Sequence, residues 1–521
     1  MTHQTPNSAA SLNAADLILG PSLAQGRQDA VALLFGEERI TFAELDAQAS
    51  RVGNALQPHI AVGDRVLMLL KDSPTFVAAF LGIMRAGGVS VPMNTRLAPK
   101  DLAFAIADSE AAVLLIDDEF LPLLDKAREA GAPSPRLVAV NGTAPSGMAD
   151  FGALVAAASP HLKSVPMAAD DMAFWLYTSG TTGSPKGAIH CHGDVPVGDS
   201  YMAMLGLGPG ERVFASSKMF FAFSLGHTLL GGLRSGATVI VYEGWPDSNS
   251  IAEVVDRYRP TVMLSVPTFF RNLLRDGLAA RAGFKGVRTY LSAGEALPES
   301  IYHRWREETG VPIIQGIGAT ETIFMFISGT PADHNPAATG KPMPYAEVRL
   351  LDEQERPVTE VDAPGVVWTR LGSLCRGYWK QPDKTQAAFR DGWFRTGDVF
   401  SVDAKGWWYH QGRGDDLLKI SGQWVSPGEI EECAAAVPGV LEAAAVGAEN
   451  EDGLVRTTLF LVASDEAGDV AATVRERLLA NLSVYKCPRN IHLVEEIPRT
   501  ATGKIQRFRL RQLAQELNAG G

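Results

Sequence analysis

"RVLMLLKDSPTFVAAFLGIMRAGGVSVP", residues 65–92, reads as strand, helix and strand. "RVLMLL" is a continuous apolar run of the kind carried by a strand buried on both faces. Through "PTFVAAFLGIMRAG" the large apolar residues Phe76, Phe80, Leu81 and Met84 recur at helical spacing. "GVSVP" then resumes the strand pattern. Working outward, "AVLLID" and "RLVAV" add strands, and "ATVIVY", "SIAEVVDRY" and "TVMLSV" repeat strand, helix and strand as far as Val266. Such alternation predicts mostly parallel sheets with helices on both faces, an α/β fold.

Near Ala346 the texture changes to β-alternation and turns, in "AEVRLLDEQERPV" and "GVVWTR", which predicts a smaller antiparallel layer or barrel. After "GRGDDLLKISG", Gly412–Gly422, comes a mixed α/β stretch ending in "TATGKIQRFRLRQLAQEL". The predicted organisation is a large N-terminal domain over 1–414 and a smaller α+β domain over 415–521.

At 521 residues the chain exceeds one ordinary core, and 46% hydrophobic with 20% charged residues is a globular profile. A net charge of −12 argues against a nucleic-acid surface, which needs clustered basic residues. Cys191, Cys375, Cys433 and Cys487 are scattered without paired spacing, so a reduced, cytoplasmic protein is expected. The N-terminus lacks a basic segment before an apolar core, and no apolar run has the length of a membrane span. His190 and His192 have no further ligand nearby in sequence and read as a surface or loop pair rather than a metal site.

"YTSGTTGSPKGAIH", Tyr177–His190, concentrates glycines, hydroxyls and a single Lys186. Hydroxyls and bare N–H groups bind oxyanions, glycine lets the backbone approach them, and the lysine adds a point charge, so a polyphosphate is expected here. It is not a Walker A loop: counting from Gly180, Pro185 stands at the second glycine position and Gly187 follows the lysine. "PRTATGKI" lacks the first glycine, and "GIGATE" ends in Glu321 where a dinucleotide fingerprint needs a third glycine.

In order along the chain, "YTSGTTGSPKG", "IQGIGATE", "WFRTGD", "GRGDDLLKISG" and "PRTATGKIQR" resemble the adenylate-forming superfamily of acyl-CoA synthetases. The resemblance runs from about Ala30 to Leu513, and "KMFFAFSLGH", "SAGEALP" and "ISGQWVSPGEIE" are most similar to the benzoate-CoA ligase group. It implies two half-reactions. ATP and a carboxylic acid form an acyl-adenylate and pyrophosphate, and the thiol of coenzyme A then displaces AMP.

The same resemblance assigns roles. Thr178, Ser179, Gly180, Thr181, Thr182, Gly183 and Lys186 would hold the β- and γ-phosphates. Thr320 would bond the α-phosphate and Glu321 would carry Mg²⁺, a hard cation suited to carboxylate oxygens. Taken without the other motifs, Glu321 reads equally well as a solvated acid at a helix start. Asp398 would accept from the ribose hydroxyls, with Arg413 beside it. Gly294, Glu295, Ala296, Gln315 and Gly316 would frame the adenine, with Ile317 packing on it where many relatives carry tyrosine. Lys504 would bridge the acid and the nucleotide during adenylation. Asp415 matches a hinge, and the Gly422 face would then approach the site for coenzyme A.

The expected acyl pocket comprises Ala222, Phe223, Ala293, Ile323 and Phe324, beside Gly294, Gly316 and Ile317. Phe223 stands where the group commonly has tyrosine, and Phe324 where it commonly has histidine. An apolar wall is therefore expected, favouring an aromatic or alicyclic acid, with a medium aliphatic acid also open. Three readings compete: a stand-alone CoA ligase, which the motifs favour, an adenylation enzyme loading a carrier protein, and a non-catalytic nucleotide-binding relative. The partner is a small carboxylic acid, and a homodimer is left open.

Overall fold

The computed structural model describes residues 12–178, 185–414, 418–420, 423–449, 455–464, 469–499 and 505–519. The strand–helix–strand reading holds: Arg65–Leu69 and Val89–Pro92 pair in parallel, and the helix Pro74–Arg85 crosses between them. Ser73 caps that helix by accepting from the Phe76 N–H at 3.2 Å, and Pro74 occupies the first turn, where no N–H is needed. The helix is buried from Phe76 to Arg85. It lies against the helix Phe42–Leu56, and a Cβ added at Gly82 would stand 2.5 Å from the Ala49 carbonyl oxygen. Only glycine permits that approach.

Among the described residues the large domain holds a seven-stranded and a nine-stranded sheet. One apolar core lies between them, joining Val66, Met68 and Phe80 to Val213, Val239 and Leu264. Separate clusters cover the outer faces, around Trp305 on one sheet and Ile106 on the other. In the nine-stranded sheet the parallel strands Arg212–Ala215, Val262–Ser265, Thr289–Ser292 and Ile313–Gly318 lie side by side. In the seven-stranded sheet Met172–Thr178 pairs antiparallel with Lys186–Cys191, so Thr178 stands opposite Lys186. The predicted antiparallel layer is a five-stranded sheet that includes Ala346–Leu351, Gly365–Leu371, Trp393–Val402 and Trp408–Arg413.

The small domain has its own core. Val440–Glu449, Val455–Ala463 and Asn490–Leu493 form a sheet on which the helices Pro427–Ala435, Val470–Asn481 and Arg507–Ala519 are set. Leu459, Val474 and Ile430 fill one cluster, and Phe460, Leu510 and Ala514 another. It meets the large domain through a chain of ion pairs. Glu442 lies 3.5 Å from Arg271 and 2.9 Å from Arg499, and Arg499 lies 3.7 Å from Glu295. No described helix is long and apolar enough to cross a membrane. All four cysteines are free thiols.

Candidate active site

Two segments of the expected nucleotide site leave the carboxyl ends of parallel strands, where ligands bind in open α/β sheets. Strand Thr289–Ser292 runs into Ala293–Ala296, and strand Ile313–Gly318 runs into Thr320 and Glu321. Gly294 has φ of 91° and, with Glu295 and Ala296, is exposed. The Gln315 side chain is committed to the backbone: Oε1 accepts from Leu297 N–H at 3.1 Å, and Nε2 donates to the Pro336 carbonyl at 3.0 Å. A Cβ at Gly316 would stand 2.8 Å from Ser328 Oγ on the neighbouring strand, so the position stays free of a side chain. Ile317 is half-buried.

Glu321 is 8% exposed and accepts from the Tyr378 phenol at 2.7 Å, so it is not a solvated acid at a helix start. Burial and the Glu321 charge push the Tyr378 phenol upward, keeping it a donor. The Lys186 ammonium lies over the Tyr378 ring, 4.4 Å from its centroid. Burial draws the Lys186 pKa down, with Arg413 adding to that effect and Glu321 opposing it. Arg413 reaches Asp398 at 3.2 Å, and the His410 ring nitrogen lies 3.5 Å from the same carboxylate. The strands Trp393–Val402 and Trp408–Arg413 place Asp398 directly opposite Arg413. Lys186, Glu321, Asp398 and Arg413 therefore converge with Tyr378 from three separate sheets.

Thr320 is held through its main chain, its carbonyl 2.8 Å from His190 Nε2, while His190 Nδ1 faces Asp194 at 3.0 Å. His190 and His192 are not the expected surface pair. Both have no exposed surface, and the His192 Nδ1 accepts from the Ala14 N–H at 2.8 Å. The strand Lys186–Cys191 carries His190 inward onto the Phe174 ring, stacked at 5.0 Å. No cluster of three metal-ligating side chains occurs among the described residues.

On the acyl side, Ala222 and Phe223 are half-buried, and Ala293, Ile323 and Phe324 are buried. Ile323 has φ of 56°, in the left-handed region, where a β-branched residue is strained by roughly 1–3 kcal/mol. Its turn is fixed by Ile323 N–H to the Ala319 carbonyl at 3.1 Å and by Thr322 Oγ1, which accepts from Ala319 N–H at 2.9 Å. Phe324 packs so closely on Gly198 that a Cβ there would stand 2.5 Å from its ring. The wall is not wholly apolar as expected. His227, from the end of "KMFFAFSLGH", places its ring 5.4 Å from Phe223 and 6.0 Å from Phe324. A second unread feature anchors the loop before Phe223: Lys218 and Asp72, 5% and 6% exposed, pair at 3.2 Å, and Asp72 accepts from the Met219 N–H at 3.1 Å. Ser179, Gly180, Thr181, Thr182, Gly183, Asp415, Gly422 and Lys504 lie outside the described residues.

Residues 22–379 match the family described as AMP-binding enzyme, and residues 429–504 match the AMP-binding enzyme C-terminal domain. The chain is 50% identical to a 3-hydroxybenzoate–CoA ligase of Aromatoleum sp. (strain CIB), over 96% of this chain and 97% of the relative. It is 37% identical to a benzoate–CoA ligase of Thauera aromatica, over 96% and 95% of the two chains. The crystal structure of the anthranilate CoA ligase AuaEII in complex with anthranoyl-AMP matches with a TM-score of 0.91 at 34% identity, covering 99% of each chain. The chain belongs to the AMP-binding enzyme family, the adenylate-forming superfamily. Within it the chain falls in the benzoate-CoA ligase group, as an AMP-forming acid–CoA ligase.

Proposed function

We propose that this ligase activates a hydroxybenzoate, with 3-hydroxybenzoate its best acid, through an acyl-adenylate to the CoA thioester. The reaction class, ATP-dependent activation of an aromatic acid, is that of its relatives. The observation that carries the residue roles is the convergence of Lys186, Glu321 with Tyr378, and Asp398 with Arg413. In the first half-reaction a carboxylate oxygen attacks the α-phosphorus and pyrophosphate leaves, so anions must be brought together and cations are needed around them. Lys186 meets the β- and γ-phosphates together with Thr178, Ser179, Gly180, Thr181, Thr182 and Gly183. Thr320 bonds the α-phosphate, and Asp398, oriented by Arg413, accepts from the ribose.

Glu321 is the group that would hold Mg²⁺: it is a hard oxygen donor, buried beside Lys186, with one oxygen on the Tyr378 phenol. When bound, the ion supplies charge neutralisation between triphosphate and acid. Lys504 serves adenylation, and Arg499, close before it in sequence, pairs with Glu295 of the adenine loop. In the second half-reaction the thiol attacks the acyl carbon and AMP departs. The domain from residue 415 swings about Asp415 for that step, bringing the Gly422 face forward.

The test is purified protein with ATP, Mg²⁺ and coenzyme A against benzoate, the three hydroxybenzoates, anthranilate and cyclohexanecarboxylate, following AMP and thioester. 3-Hydroxybenzoate should give the highest kcat/KM. Pyrophosphate release without thioester would favour the carrier-loading reading, and turnover of cyclohexanecarboxylate above every benzoate would reject an aromatic acid.

A further inference from the structure

His227 has no exposed surface, and the bonds around it are fully accounted for on one side only. Its Nδ1 lies 2.8 Å from the Phe223 carbonyl. A carbonyl only accepts, so Nδ1 carries the proton, and in the neutral ring Nε2 is then an acceptor. Burial holds the ring neutral by pushing its pKa down to about 4. Nε2 is buried and meets no hydrogen-bond partner.

The neighbours cannot supply a donor. Phe223 and Phe324 offer ring edges only. Tyr201 packs edge-on against the imidazole at 5.6 Å, but its hydroxyl is spent on Ser328 Oγ at 2.8 Å. Ser328 Oγ in turn donates to the main chain at Gln315 or Gly329, at 3.0 and 2.9 Å, so the proton between Tyr201 and Ser328 belongs to the tyrosine. A buried acceptor left unmet costs about 1–3 kcal/mol, a cost removed if a ligand brings the donor.

The geometry points to His227 Nε2 as the acceptor for the ring hydroxyl of the acid, which makes His227 the specificity-determining residue for a meta-hydroxyl. This rests on the proposed hydroxybenzoate activity and adds the residue that reads the hydroxyl. A hydroxyl that donates to Nε2 is selected. A fluorine of similar size, or a methoxy group, brings no proton and leaves Nε2 unmet. The rest of the ring lies on hydrocarbon from Phe223, which gives a polar substituent elsewhere on the ring no partner.

The test compares matched acids in ATP–pyrophosphate exchange and in thioester formation: 3-hydroxybenzoate, 3-fluorobenzoate, 3-methoxybenzoate, benzoate and 4-hydroxybenzoate. The unmodified enzyme should prefer 3-hydroxybenzoate to 3-fluorobenzoate by about tenfold or more in kcat/KM. His227→Leu should reduce that preference to about threefold or less, through a larger loss with 3-hydroxybenzoate than with 3-fluorobenzoate or benzoate. His227→Asn, whose amide oxygen can accept, should restore part of the preference. An unchanged ratio in His227→Leu overturns the assignment. So does equal turnover of 3-hydroxy- and 3-fluorobenzoate by the unmodified enzyme, which decides the matter if neither variant folds. A His227-dependent preference for the 4-isomer overturns the meta position. Failure of the unmodified enzyme with every benzoate, alongside turnover of another acid, removes the hydroxybenzoate reading itself.

Discussion

On the nucleotide side, Lys186, Glu321, Asp398 and Arg413 are charged groups whose partners are other charges or a phenol, at distances of 3.2 Å for Arg413 to Asp398 and 2.7 Å for Tyr378 to Glu321. On the acyl side, Phe223, His227 and Phe324 form a largely enclosed patch with a single polar atom left unmet, the Nε2 of His227. Under the proposed function the first region would handle chemistry shared by every substrate, since the triphosphate does not vary, and the second would distinguish acids that differ by one hydroxyl. Many charges suit the first task. For the second, one uncompensated buried acceptor discriminates more sharply, because a wrong substrate leaves it desolvated and unpaired.

The comparison can be broken most forcefully at the loop that supports the acyl wall. Lys218→Met leaves Asp72 buried without its partner and should cost about 3–5 kcal/mol of stability, read by denaturant unfolding. Asp72→Asn with Lys218→Met should recover part of that loss, because the stranded charge is gone. A loss below 1 kcal/mol for the single variant would show that the pair does not hold the loop.

Next in size is the charge proposed for adenylation. Lys504→Ala should slow adenylation by about 10²–10³, while thioester formation from supplied acyl-adenylate persists. Equal damage to both half-reactions would place the residue in a common step instead.

Smaller again is the para position. Phe223 and Phe324 put hydrocarbon where the group commonly carries hydroxyl and imidazole, so benzoate should exceed 4-hydroxybenzoate by roughly tenfold in kcat/KM. Phe324→His should narrow the gap. If 4-hydroxybenzoate is the better substrate of the unmodified protein, the wall is not apolar at that point.

The smallest effect belongs to the ion-pair chain between the domains. Partly exposed pairs contribute about 0–1 kcal/mol, so Glu442→Ala should move the ratio of thioester formation to adenylation by no more than about fivefold, in favour of the thioester step. A shift the other way would assign the chain to the second conformation.

The alternation of apolar runs was sufficient for the parallel sheets, because a strand buried on both faces and an amphipathic helix have different periods. Lys186, Glu321 and Asp398 could be picked out as candidates for a related reason: each sits in a short contiguous motif, "SPKG", "GATE" and "RTGD". Tyr378 could not, since its contact with Glu321 spans 57 residues and arises only when the sheets assemble. His190 and His192, expected as a surface or loop pair, are both inside: His190 on the strand Lys186–Cys191, which has no strict polar alternation to reveal it, and His192 just after that strand. His227 did carry a signal. It follows Phe223 by four residues on one helical face, but a lone histidine at that spacing is indistinguishable from packing until its second nitrogen is seen unmet.

The helix that carries Phe223 and His227 contains a π-turn, Leu225–Leu230. A π-turn accommodates one residue more than the α-helical frame around it. Deleting Leu225 or Gly226, the two π-turn residues that lie between Phe223 and His227, would shift His227 by one helical position, about 100°, relative to Phe223. The two rings would then meet at a different angle, although neither had been replaced. Selectivity in this fold is thus open to revision by chain length as well as by substitution, and a one-residue deletion there leaves Lys186, Glu321 and Asp398 untouched in sequence. A library of single deletions across Leu225–Leu230 would explore acid preference along a dimension that no set of point variants reaches.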